Sequence, residues 1–364
     1  MYDIAIVGSG FSGSVLAERF ATSGSKVLVI EKRNHIGGNA YDHYDENGIL
    51  IHNYGAHIFH TNDEKVFQYL SQFTEWRNYQ HRALSYVDGM LLPFPINRKT
   101  LESLYGVESV KDGVEAFLSK VRKNISNPKN AEENVLSKVG EELYEKFYKG
   151  YTEKQWGRSA KELRPSVTGR IPVREGYDDR YFSDKYQVMP LHGYHVLFQN
   201  LLKHENINVL LNTQWKNIKD EIRYNKLIFT GPIDEYFDHI FGKLPYRSLK
   251  FKFKLYNQEY VQPVAGIKYS NDYDFTRTLE FKHLTGQKHL YTVVAEEYPT
   301  EDGDPYYPIP ADDTELLYQR YKQEAGKQTD VAFVGRLATY RYYNMDQVIA
   351  SALTEFKRLK GLGW

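Results

Sequence analysis

Apolar positions along the chain switch between a period of two and a period near 3.6, and the switches predict its elements. Ile4, Ala5, Ile6 and Val7 form a short apolar run that stops at a glycine turn; Val15, Leu16 and Phe20 then recur at helical spacing, and 26–30 gives a second strand. Asn47-Gly48 predicts a hairpin, Thr61-Asn62-Asp63-Glu64 a capping box, and Val66, Phe67, Leu70 and Phe73 one face of the helix it opens. A second hairpin is expected at Val87-Asp88-Gly89-Met90, with Pro93 and Pro95 making the next segment an edge strand or an extended segment outside the ladder. Between about 99 and 150 the spacing is helical, with a break at Asn127-Pro128-Lys129-Asn130. Residues 150–184 show no sustained period and many aromatic residues and arginines, which predicts a long functional loop, a lid hinged at Gly169 and Gly176. Nucleotide-domain texture resumes at 194–211 and 226–230. Leu249, Phe251, Phe253 and Leu255 alternate with lysines, predicting a half-buried antiparallel strand, and a buried strand and a helix end the chain.

The first forty residues carry the most specific motif. Gly8-Ser9-Gly10-Phe11-Ser12-Gly13 lies between a strand and a helix, where Gly8 permits the turn, Gly10 lets backbone approach a pyrophosphate and Gly13 lets the helix pack closely. Glu31, at the end of the next strand, can accept hydrogen bonds from both hydroxyls of an adenosine ribose. Arg33, Gly37, Gly38 and Asn39 then form an RxxxGGN turn that resembles the second glycine turn of the FAD-binding amine oxidase superfamily, favouring FAD over NAD. The strands of this domain come from the beginning, middle and end of the chain. The expected fold is therefore α/β, a discontinuous Rossmann-like FAD-binding domain (1–62, 191–246 and 329–364) with an inserted helical bundle (99–160). An antiparallel β-sheet domain with the lid takes 63–98, 161–190 and 247–328.

Composition narrows the chemistry. The 364 residues have a formal net charge of zero, which disfavours a general nucleic-acid or anionic-membrane binder, and lack cysteine, which removes thiolate chemistry and disulfides. No apolar run is long enough for a membrane span and the first residues read as a core strand, so a cytoplasmic location is expected. His57 and His60 have no third ligand nearby, so no metal is expected. The 31 tyrosines offer ring faces and hydroxyls suited to nucleotide and sugar sites.

The stretches IEKRNHIGGNAYD, YGAHIFHT, GYTEKQWG, RIPVR, TGPIDEYF, YRSLKF, DPYYPI and GRLATYRYYNM resemble the UDP-galactopyranose mutase family, in order and over essentially the whole chain. The resemblance implies a six-stranded antiparallel sheet and interconversion of UDP-galactopyranose and UDP-galactofuranose. In that reaction N5 of reduced FAD attacks the anomeric carbon with no net redox. It further implies Arg170, Arg277, His60 and Tyr342 as catalytic residues, with a UDP-sugar held by Tyr151, Trp156, Arg170, Tyr181, Arg247, Arg277, Tyr307 and Tyr342. FAD would be held by Gly8, Gly10, Phe11, Ser12, Gly13, Glu31, Lys32, Gly38, Asn39, His57, Arg336 and Met345. An external reductant such as NAD(P)H and a homodimer are implied too. Lys268, Asn344 and Asp274-Phe275 depart from the family pattern near the expected sugar end, so a mutase for dTDP-fucopyranose or UDP-N-acetylgalactosamine stays open. An FAD-dependent amine oxidase and a non-catalytic nucleotide-sugar binder are the readings from other classes.

Overall fold

In the computed structural model, which describes all residues from Met1 to Trp364, five parallel strands form one sheet. Their order is Ile207–Leu210, Val27–Ile30, Tyr2–Val7, Tyr224–Phe229 and Val331–Phe333. This is the discontinuous Rossmann-like sheet the pattern predicts. Helices cover both faces, so Val27–Ile30 is buried throughout and reads as an unbroken apolar run rather than an alternating one. The helix Phe11–Thr22 packs so close to the first strand that a Cβ on Gly13 would lie 1.9 Å from the Gly8 carbonyl oxygen, and Gly8 itself has φ 98°. Both positions therefore require glycine.

The second sheet has seven strands: Tyr307–Pro308, Tyr246–Tyr256, Thr292–Thr300, Arg277–Glu280, Gly266–Tyr269, Ala83–Val87 and Met90–Phe94. It is not purely antiparallel, because Gly266–Tyr269 pairs parallel with Ala83–Val87. The two strands are far apart in sequence, so no hairpin forces them to run oppositely. Met90–Phe94 is the edge strand, as its prolines predict. The alternation at 249–255 is only half used: Leu249 is buried, whereas Phe253 and Leu255 project beyond the core and are 40% and 49% exposed.

A third sheet of Phe59–Thr61, Tyr186–Pro190 and Trp76–Asn78 ties the lid segment's end to the nucleotide-binding half. The segment 63–98 is accordingly divided. Val66, Tyr69 and Leu70, on the helix Glu64–Leu70, join the core beneath the parallel sheet rather than the seven-stranded sheet, because that helix packs against the terminal helix Met345–Gly361. The expected capping box is absent. Asp63 is the cap, accepting from the amides of Lys65 at 2.8 Å and Val66 at 3.2 Å, while the Thr61 hydroxyl donates to Asp346 at 3.0 Å.

One core of 37 buried residues runs from Val15 and Phe20 of the first helix to Leu279, Val293 and Ala295 of the second sheet, so apolar packing is continuous between the two sheets. The helical unit has its own core, and this core claims part of the expected lid. Trp156, Ala160, Leu163 and Val167 are buried in it at spacings of four, three and four. Gly150–Trp156 is accordingly a helix, and only the later part of 150–184 is irregular.

Candidate active site

A cavity of about 1130 Å³ opens where Val7, Ile30 and Phe229 end their strands and extends to the inner face of the seven-stranded sheet. That volume exceeds the roughly 300–1,000 Å³ of single small-molecule sites and suits two ligands.

Its nucleotide-domain end is made largely of backbone. Gly10, Phe11 and Ser12 line it. The helix they open has no side-chain cap, and its first backbone bond runs from Ser14 N to Gly10 O at 2.9 Å, which leaves the amides of Phe11, Ser12 and Gly13 without protein partners. A Cβ on Gly38 would come within 2.9 Å of the Gly10 Cα, so the two glycine turns touch and no side chain fills the cradle. Glu31 is more committed than expected. It accepts from Ser9 N at 2.9 Å, Ser9 Oγ at 2.8 Å and Arg33 N at 3.0 Å, leaving about one of a carboxylate's four acceptor positions for a ribose hydroxyl rather than two. Asp304 pairs with Lys32 and Arg33, and Arg33 also donates to Asn39 Oδ1 at 3.0 Å and lies 4.1 Å over the Tyr54 ring. Met345, at the start of the terminal helix, and Arg336 lie on the opposite wall.

The other end is built from side chains. Strand register places Ser85, Lys268, Arg277 and Glu297 in one row across four neighbouring strands. Arg277 Nε donates to Glu297 Oε2 at 2.8 Å, and Glu297 is fully buried. Burial opposes charge on Arg277, but Glu297 beside it raises its pKa well above the usual arginine value. Arg170 is exposed to the cavity, with its guanidinium 4.4 Å from the Tyr342 ring and Nη2 donating to the Tyr342 hydroxyl at 2.5 Å. Tyr181 and Tyr307 line the same region. His60 hydrogen-bonds through Nδ1 to Asp184 at 2.9 Å and stacks on Phe182 at 3.6 Å. His57 hydrogen-bonds to the Gly55 carbonyl, and burial, with Arg336 and Arg277 nearby, pushes its pKa down to about 4, so it is neutral near pH 7.

Four predicted site residues lie off the cavity surface. Gly13 packs helix against strand. Trp156 is 5% exposed and supports Tyr307 and Tyr342 from behind, edge-on. Tyr151 lies beneath Lys268, whose ammonium is 5.0 Å from its ring centroid. Arg247 is a correction of a different kind: its guanidinium is turned away, donating to the carbonyls of Gln155 at 3.0 Å and Lys154 at 3.1 Å, where it ends the helix Gly150–Trp156. Asp184 and Glu297, which hold His60 and Arg277, were not singled out in the sequence. Only strand pairing brings them to those partners.

A family model described as UDP-galactopyranose mutase matches residues 146–342, and one described as an NAD(P)-binding Rossmann-like domain matches 6–73. A probable UDP-galactopyranose mutase of Klebsiella pneumoniae is 39% identical over 96% of this chain and 93% of its own length. The chain belongs to the UDP-galactopyranose mutase family. Its members are isomerases. A dTDP-fucopyranose mutase of Escherichia coli is 38% identical over 97% of both chains. The solved structure of a reduced UDP-galactopyranose mutase superposes with a TM-score of 0.81 at 16% identity, covering 100% of this chain and 96% of that one, which establishes the shared fold. None of the helices is long and apolar enough to cross a membrane.

Proposed function

We propose that this family member interconverts UDP-galactopyranose and UDP-galactofuranose with FAD in its reduced state. The observation that carries the reading is one continuous cavity whose glycine-lined, amide-rich end adjoins an end made of guanidinium, ammonium and phenol groups. The cradle between Gly10 and Gly38, clear of side chains, and the first-turn amides suit the FAD pyrophosphate. Lys32, Asn39, His57, Arg336 and Met345 would enclose the rest of the cofactor. Bound there, reduced flavin supplies an electron pair from N5 to the anomeric carbon. With no net redox in the reaction, an external reductant such as NAD(P)H would be needed only to bring the protein to its active state.

The protein's own groups handle charge and position. Arg170 and Arg277 neutralise the diphosphate as the anomeric C–O bond breaks, and the hydroxyls of Tyr181, Tyr307 and Tyr342 donate to its oxygens. His60, fixed by Asp184 and Phe182, faces the sugar. Glu297 keeps Arg277 charged and aimed. Closure of the segment around Arg170 excludes water.

Incubating purified protein with UDP-galactopyranose, with and without dithionite, tests the reading. Formation of UDP-galactofuranose only under reduction, without stoichiometric use of reductant, is expected; equal turnover of oxidised protein, or none when reduced, refutes it. A second reading, a mutase for dTDP-fucopyranose, is favoured by the near-equal identity of the Escherichia coli relative. Supplying both nucleotide sugars to the reduced protein decides between them.

A further inference from the structure

Two lysines of this chain are deeply buried, and only one is satisfied. Lys282 is fully buried and donates to the carbonyls of Glu259, His289 and Tyr291, as a structural ammonium should. Lys268 is 8% exposed, forms no salt bridge, and has the Tyr181 hydroxyl, at 3.1 Å, as its one hydrogen-bond acceptor. An ammonium has three N–H donors, so two remain without acceptors. Aromatic rings surround it instead, with centroids at 3.9 Å for Phe94 and 5.0 Å for Tyr151 and Tyr181. Lys268 lines the cavity directly beside Arg277 in the strand register.

The charges around Tyr181 make the arrangement costly without a ligand. Burial depresses the Lys268 pKa from its ordinary value, and Arg277 and Arg170 depress it further. Burial would raise the Tyr181 pKa, yet Lys268, Arg170 and Arg277 together bring it below the ordinary phenol value. Three cations brought within range of one phenol repel each other, and Glu297 offsets only one of them. A ligand with several negative charges relieves that repulsion; a sugar hydroxyl does not.

We propose that Lys268 is a third cation of the diphosphate site, binding the β-phosphate of the nucleotide sugar and stabilising the charge that appears there on bond cleavage. This rests on the mutase reading above. When the anomeric C–O bond breaks, its electron pair stays on the β-phosphoryl oxygen, taking the nucleotide from two negative charges to about three near pH 7. Reduced flavin, where bound, would supply the anomeric carbon's new pair, and Lys268 keeps its proton. The ammonium thus interacts more strongly with the departing group than with the ground state.

The test is binding of UDP and of uridine to oxidised, FAD-loaded protein, measured by calorimetry for the native chain, Lys268→Met and Lys268→Arg. Lys268→Met is expected to weaken UDP roughly 10- to 100-fold, leave uridine unchanged and lower kcat more than it raises KM, with Lys268→Arg recovering most of the loss. Unchanged UDP affinity in Lys268→Met would overturn the proposal and assign Lys268 to the sugar. So would parallel losses of UDP and uridine binding, or of FAD, in both variants, since these mark a packing role. A protein that binds UDP with the expected Lys268 dependence but converts no nucleotide sugar would overturn the functional reading and leave this one standing.

Discussion

On the function proposed above, the two ends of the cavity would meet the same task, holding phosphate, with different materials. At the nucleotide-domain end the donors are backbone amides at a helix start, and side chains are excluded: glycines at 10 and 38 keep the space clear, while those at 8 and 13 let the turn and helix pack closely. At the sheet end the donors are Arg170, Lys268, Arg277 and tyrosine hydroxyls on a strand row and a loop. Backbone donors are fixed with the fold and tolerate no added atom nearby. Side-chain donors can be exchanged singly, each with its own supporting partner. A pocket that keeps one cofactor while relatives diverge in substrate would be built in this way.

The largest effect should come from crowding the backbone end. Gly13→Val drives carbon into the Gly8 carbonyl, and overpacking of this kind costs about 3 kcal/mol or more. Loss of FAD from the purified protein together with a lower melting temperature is expected; a normally melting, yellow variant would break the comparison. At the side-chain end, Arg277→Ala would strand the buried Glu297, so Arg277→Lys is the cleaner change. It keeps the charge, loses the planar fork, and should lower kcat roughly a hundredfold with FAD content unchanged. Arg174→Ala, whose guanidinium holds the Arg180 carbonyl at 2.8 Å and Asp178 at 3.3 Å, should cost far less turnover.

Smaller effects sharpen the contrast. Arg247→Ala should lower unfolding free energy by about 2 kcal/mol through two stranded carbonyls and leave KM for the nucleotide sugar nearly unchanged, as denaturant titration and initial rates would show. Two buried histidines titrate abnormally: burial pushes His52 and His81 each down to about 3. Their unfolded values lie near 6.5, so the unfolded chain binds protons the native one refuses. The associated stability is present above pH 6.5 and is lost as pH falls toward 3, at up to about 1.4 kcal/mol per pH unit for each histidine. Replacing His81 with Gln should flatten the fall in unfolding free energy over that range; an unchanged slope would mean that His81 is protonated in the folded protein.

Sequence alone reached the backbone end well, because its chemistry is local. Strand, glycine turn, helix and Glu31 follow one another within about thirty residues, and each has a distinct residue signature. The side-chain end was reached through likeness to a family and was blurred where that likeness is silent about register. Arg247 and Arg277 both start strands, and nothing local says that one faces helix carbonyls and the other the cavity. Glu297 and Asp184 are ordinary acids until pairing across the sheets gives them partners. The one local signal overlooked was the 156, 160, 163, 167 spacing, hidden among arginines and tyrosines in a stretch that reads as a loop.

The parallel sheet also sets a timetable. Its central strand, Tyr2–Val7, has one neighbour, Val27–Ile30, close by in sequence, but the other, Tyr224–Phe229, follows only after more than two hundred residues, and the edge strand Val331–Phe333 comes later still. At about 5–20 residues per second, the nascent glycine turn waits on the order of 10–40 s for Tyr224–Phe229. During that time Ile4, Ala5 and Ile6 have only the pairing with Val27–Ile30 to enter, and the far edge of their strand stays unpaired. On the function proposed above, loading of the dinucleotide would be a late event in the life of each new molecule, and nascent chains stalled before residue 224 would be targets for proteolysis rather than partly active enzymes.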